Sequence, residues 1–201
     1  MIGDPWNDQM STHIFTNDAA EYTTLTVTWR TRRPDGSGVP YNYDMFAYKN
    51  SWVHLVRRFT ADREYGIWIN GEKKYSVTIP ADEKTILEWN PDTATYYDYY
   101  RRFVLEANVR FNECMKCMHA MLRIYNRALT QEEIRHNMYR WGSPVKDGLV
   151  LWLSETSINP PVWNDLSGCG NDGTIYGAAK MERARSAVKV DLAERVLAAA
   201  R

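Results

Sequence analysis

The chain has 201 residues, 25 of them Lys or Arg and 25 Asp or Glu, so its formal net charge is zero. That balance excludes a general nucleic-acid binder, which needs a basic excess against phosphates, and 44% hydrophobic content excludes a disordered chain. Met1 to Trp6 carries neither the basic nor the apolar region of a signal peptide, and no apolar run approaches the roughly 20 residues of a membrane helix.

Thr24 to Arg32 alternates with period two, placing Leu25, Val27 and Trp29 on one face and Thr24, Thr26, Thr28 and Arg30 on the other. This predicts a half-buried strand. Pro34-Asp35-Gly36 with Gly38 reads as a loop, and Ser51 to Phe59 as the next strand. Tyr65 to Lys74 contains Asn70-Gly71, the dipeptide best suited to the two positive φ angles of a type I′ hairpin turn. Ile67 and Ile69 precede the turn, Tyr75, Val77 and Ile79 follow it, and Pro80 closes the pair.

Residues 81–100 read as a long crossing loop, with strand character returning at Phe103 to Phe111 and Met118 to Tyr125. Thr130 and Glu133 stand at capping-box spacing, with Leu129 and Ile134 placed as a hydrophobic staple, so a short helix is predicted from Thr130 to before Gly142. Leu149 to Leu153 is apolar without interruption, which predicts a strand buried on both faces. A short strand at Thr174 to Tyr176 follows the glycine-rich stretch Gly168 to Gly173. Met181, Ala184, Val188, Leu192, Val196 and Ala199 then form an apolar stripe at helical spacing.

Three segments resemble laminin-G-like jelly rolls of the concanavalin A-like lectin and glucanase class. Ser51 to Val56 followed by Ile67 to Lys73 is similar to the family's "W-x-H-V … l-Y-v-D-G" hairpin, with Asn70 where Asp is commoner. Leu122 to Ile134 resembles its closing strand and helix cap, the most specific of the matches. Gly148 to Leu153 with Asp165 to Gly177 resembles its opening strand and the loop after it. The opening motif therefore comes after the closing one. The resemblance implies an all-β fold, an antiparallel β-sandwich of the concanavalin A-like jelly-roll kind with one short helix, to which the apolar stripe adds a C-terminal helix. The expected organisation is a laminin-G-like sandwich over 1–142, strands at 143–179 that complete this or a neighbouring sandwich, and an amphipathic helix at 180–201.

Glucanases of this class carry carboxylates in an E-x-D-x-x-E pattern along one strand, because glycoside hydrolysis needs an acid and a nucleophile or base at fixed separation. The sequence has no such pattern; Glu72, Glu83, Glu88, Glu106 and Glu113 are scattered, and the four histidines show no triad or metal spacing. No catalytic residue, cofactor or metal is expected. Cys114-x-x-Cys117 with His119, His136 or Cys169 lacks a zinc spacing; Asp165, Asn171 and Asp172 offer oxygens of the kind calcium takes, but turn chemistry explains Asn171-Asp172-Gly173 at least as well. Trp89, Asp92, Tyr96, Tyr97, Tyr99 and Tyr100 form an aromatic and polar stretch suited to sugar stacking or to a protein interface. The expected function is a non-catalytic structural or surface module of an extracellular or virion assembly that contacts glycans, with other subunits as partners. A lectin-like adhesion module is the alternative, and a glycoside hydrolase the second.

Overall fold

The computed structural model describes residues 12–15, 26–35, 37–49, 51–84, 107–108, 113–114 and 119–175. They form thirteen short strands, all paired antiparallel, and one α-helix. The chain divides into two compact units that alternate along the sequence: residues 1–117 with 128–144, and residues 118–127 with 145–201.

The first unit holds two three-stranded sheets. One is ordered β1 (Thr12–Phe15), β2 (Thr26–Arg32), β3 (Gly38–Asp44); the other β4 (Leu55–Phe59), β5 (Glu64–Ile69), β6 (Glu72–Thr78). A two-stranded pair, β7 (Ala107–Asn108) with β8 (Glu113–Cys114), completes its strands among the described residues. β3 corrects the loop expected around Gly38: Val39, Tyr41 and Tyr43 turn inward while Pro40 and Asn42 face out. As an outer strand, β3 accommodates Pro40, whose missing N–H would break a central ladder.

Both sheets feed one core. Val27 of β2, Tyr65, Ile67 and Ile69 of β5, and Met45 and Ile79 in the flanking loops are all buried, with Tyr41, Tyr43, Leu55, Phe59, Tyr75 and Val77 packed around them. The rings of Tyr43 and Tyr75, one from each sheet, lie 6.2 Å apart and tilted by 52°. Each such side chain withdrawn from water contributes about 1.5–3 kcal/mol before entropy is counted. Arg57 pairs with Ile67 across β4 and β5 and so shares that inward face. Burial pushes its guanidinium pKa down. An inward charge on an outer strand discourages a further strand from adding there.

The hairpin forms as expected. Ile69 pairs with Glu72, and the two residues between them, Asn70 and Gly71, take φ of 52° and 77°. Asn70 also accepts the His54 N–H at 2.9 Å and donates its own to the His54 carbonyl at 2.9 Å, fixing the turn against the segment before β4. The helix α1 (Gln131–Tyr139) carries the expected cap, with the Glu133 N–H donating to the Thr130 hydroxyl at 3.2 Å and the Thr130 N–H to the Glu133 carboxylate at 2.8 Å. Leu129 and Ile134 are both buried.

In the second unit, β9 (Met121–Tyr125) pairs with β10 (Leu149–Ser154) of the same chain. The small sheet β11 (Ile158–Asn159), β12 (Val162–Trp163) and β13 (Gly173–Thr174) follows. β10 does not bury both faces as its composition predicts. Leu149, Leu151 and Leu153 are buried, whereas Val150 and Trp152 are half-exposed. The reason is the company of Trp152, which carries cations rather than a second apolar layer. The C-terminal helix expected at 180–201 lies outside the described residues.

Candidate functional site

Trp89, Asp92, Tyr96, Tyr97, Tyr99 and Tyr100 lie outside the described residues, so the site is sought elsewhere. Four polar groupings stand out.

The first is Glu83, buried to 4%. Its carboxylate accepts from the hydroxyls of Thr31 on β2 and Tyr41 on β3, the latter at 2.7 Å, and lies 3.7 Å from the Arg33 guanidinium. Burial and the carboxylate together push the Tyr41 phenol up to about 12. Arg63, which follows β4, donates to the backbone carbonyls of Ile79, Pro80 and Glu83. These bonds tie the segment after β6 to both sheets of the unit.

The second surrounds Trp68, on the face of β5 opposite the core. Its indole lies over Gly66, where a Cβ would come within 2.5 Å of the ring, so only glycine fits. The Arg58 guanidinium sits 4.4 Å and the Lys73 ammonium 5.5 Å from the ring centroid. Glu64 bridges both cations, reaching Arg58 at 3.1 Å and pairing with Lys73. The Lys73 and Ser76 hydrogen bonds hold the Glu64 carboxyl down to about 2. The indole N–H donates to Gln131 of α1 at 2.6 Å.

The third is the loop after β12. Asp165 accepts from the N–H groups of Trp152 (2.8 Å), Ser167 (2.8 Å) and Asn171 (3.0 Å) and from the Ser167 hydroxyl (2.7 Å). Desolvation alone would raise this carboxyl, but the bonds from Ser167, Trp152 and Asn171 outweigh it and hold it at about 2. Asn171 and Ser167 donate in turn to the Val150 carbonyl, at 2.8 and 3.2 Å, and the Leu166 N–H to the Trp152 carbonyl at 2.8 Å. The loop thereby occupies the edge of β10 that β9 leaves open. The Asp165 oxygens are committed to donors and Asp172 accepts the Asp165 N–H at 2.7 Å, which is turn chemistry and not a calcium cage. Among the described residues, no group of three or more His, Cys, Asp and Glu is arranged to hold a metal.

The fourth is Trp152 itself. It pairs across the sheet with Arg123 of β9, whose guanidinium lies 5.5 Å from its ring centroid, and the Lys146 ammonium lies 4.5 Å away. Its Nε1–H is shielded from water and has no acceptor among the described residues. Asp147, beside Lys146, is engaged by Arg127 at 2.7 Å. This grouping sets one indole against one Arg and one Lys. Sequence reading missed it because Arg123 and Trp152 meet only once the β9–β10 register is known.

No family model matches the chain, and no curated protein matches it. Among solved structures, one from Bacteroides ovatus to which carbohydrate binding is ascribed aligns with a TM-score of 0.46 and 16% identity, over 86% of this chain and 49% of that one. This chain thus spans about half the length of that structure, and the likeness is too low to carry a fold or a ligand across.

Proposed function

We propose that this chain is a non-catalytic, lectin-like module of concanavalin A-like jelly-roll design that binds carbohydrate at an extracellular or virion surface. The observation that carries the reading is Trp152: a half-exposed indole on a strand with both edges bonded, with the Arg123 and Lys146 side chains beside its ring. Sugars are held by such pairings of an aromatic face with fixed hydrogen-bond donors. The resemblance of the hairpin, the helix cap and the 148–177 segment to laminin-G-like domains supports the same reading.

The carboxylates support recognition over hydrolysis. A general acid for glycoside cleavage needs a raised pKa. Where carboxyl pKa values among the described residues are displaced, they are displaced downward: Asp35, Glu64, Glu72 and Asp165. Hydrogen bonds to hydroxyls, ammonium groups and backbone N–H groups hold them ionised.

A glycan array probed with the full chain tests the proposal. Binding to a defined set of glycans, weakened in Trp152→Phe with unchanged circular dichroism, is the expected result. Absence of binding to any glycan, or binding untouched by Trp152→Phe, would overturn it.

A further inference from the structure

The two caged indoles differ in how their cations are held. Trp68 and Trp152 each lie beside one Arg and one Lys, at 4.4 and 5.5 Å in the first case and 5.5 and 4.5 Å in the second. In the Trp68 cage the Glu64 carboxylate pairs with both Arg58 and Lys73, and the residue is only 1% exposed. That cage is closed. In the Trp152 cage Arg123 is placed by its cross-strand register on β9, whereas the nearer cation, Lys146, is exposed and belongs to the segment before β10. Asp147, the carboxylate next to it in sequence, pairs with Arg127 at 2.7 Å. Trp152 itself is half-exposed.

An ammonium over the ring, 4.5 Å from its centroid, lies in the layer where a sugar ring would stack. The lysine and the sugar cannot share it. We infer that Lys146 is a displaceable lid on the sugar-stacking face of Trp152, covering the ring in the free protein and swinging out when carbohydrate binds. This rests on the carbohydrate reading above and adds how access to the ring is controlled.

The chemistry suits a lid. A compact ammonium on a flexible four-carbon stem can leave the ring for water by rotamer change alone. The backbone on either side stays bonded throughout. The Trp152 N–H donates to Asp165 and its carbonyl accepts the Leu166 N–H, both at 2.8 Å, while the Lys146 carbonyl accepts the Leu149 N–H at 3.1 Å. At an exposed site a cation stays over its ring in preference to leaving it by a ratio of about two to five. Only about a third to a sixth of the molecules then present an uncovered ring, and apparent affinity falls by that fraction.

The experiment is calorimetric titration of the full chain and of its Lys146→Ala variant with the neutral sugars cellohexaose, xylohexaose, mannohexaose and chitohexaose. Lys146→Arg, which keeps a cation for the ring, is the control. The Lys146 ε-methylene protons, assigned by their loss in Lys146→Ala, are followed by NMR, since the Trp152 ring current moves them upfield while they lie over its face. At least one sugar is expected to bind, and Lys146→Ala to bind it about three- to sixfold more tightly, with Lys146→Arg no tighter than the original chain. At saturation the lysine protons are expected to lose their upfield shift. If a sugar binds but Lys146→Ala holds it no more tightly, or Lys146→Arg gains as much, the lid is overturned and the carbohydrate reading stands. Lysine protons without a ring shift in the free protein, or with one kept in the saturated complex, overturn the lid on the unaltered chain alone. If no sugar binds any form, both readings fall.

Discussion

In the unit built on β4 to β6, the six core side chains Val27, Met45, Tyr65, Ile67, Ile69 and Ile79 are each exposed by 3% or less. In the unit built on β9 and β10, Leu149, Leu151 and Leu153 remain 5–8% exposed, and a carboxylate ties the loop after β12 to the strand. Apolar burial is non-directional and indifferent to protons. A carboxylate accepting N–H bonds is directional, and one proton disables it. The two units should therefore fail differently.

The largest effect is expected at the apolar end of that contrast. Ile67→Ala removes a fully buried side chain facing both sheets and should cost about 2–5 kcal/mol in urea unfolding, through lost transfer energy and the cavity left behind. A loss below about 1 kcal/mol would show that the core collapses around the gap and is not close-packed.

Asp165→Ala sharpens the other end. It leaves the Trp152, Ser167 and Asn171 N–H groups without their acceptor, at a cost of about 2–3 kcal/mol, and amide exchange at Trp152 should quicken. The same bond makes this unit acid-sensitive. The Asp165 carboxyl is held at about 2 against an ordinary 3.8, so its contribution is present above about pH 4 and is lost as pH falls toward 2. Partial exposure discounts the effect to the order of 1–2 kcal/mol. Asp165→Asn should remove that part of the acid transition, and an unchanged pH profile would show that the loop is held by Asn171 and Ser167 alone.

Two smaller effects probe the local signals. Gly71→Val forces a β-branched residue to φ 77° and should cost about 1–3 kcal/mol, read as a lowered melting temperature. Thr130→Ala removes the acceptor for the Glu133 N–H and should cost about 1 kcal/mol. Unchanged melting in both would mean that tertiary packing alone fixes the hairpin and the helix.

What could be read from the sequence was local. Asn70-Gly71 and the Thr130–Glu133 pair specify backbone conformation within four residues, and both formed. β3 was missed because Gly38 and Pro40 look like loop residues until β2 is placed beside them; Val39, Tyr41 and Tyr43 are what hold it as a strand. The both-faces-buried reading of β10 failed for a related reason. Alternation is invisible when Val150 and Trp152 are as apolar as the leucines, and only the strand opposite reveals that Trp152 meets Arg123. The pairing of the Trp152 cage depends on register across 28 intervening residues, and no local pattern encodes it. The aromatic stretch at 89–100 was legible as chemistry, but lies outside the described residues.

The alternation of the two units along the chain has a consequence for how the protein comes into being. Residues 118–127 belong with 145–201, yet 128–144, including α1, belong with the first 117. On a ribosome, β9 therefore emerges before the last piece of the first unit and must wait, unpaired, until β10 follows. Neither unit can be expressed as one uninterrupted fragment. A gene that separated them would need a new junction joining 127 to 145, with 128–144 returned to the other half.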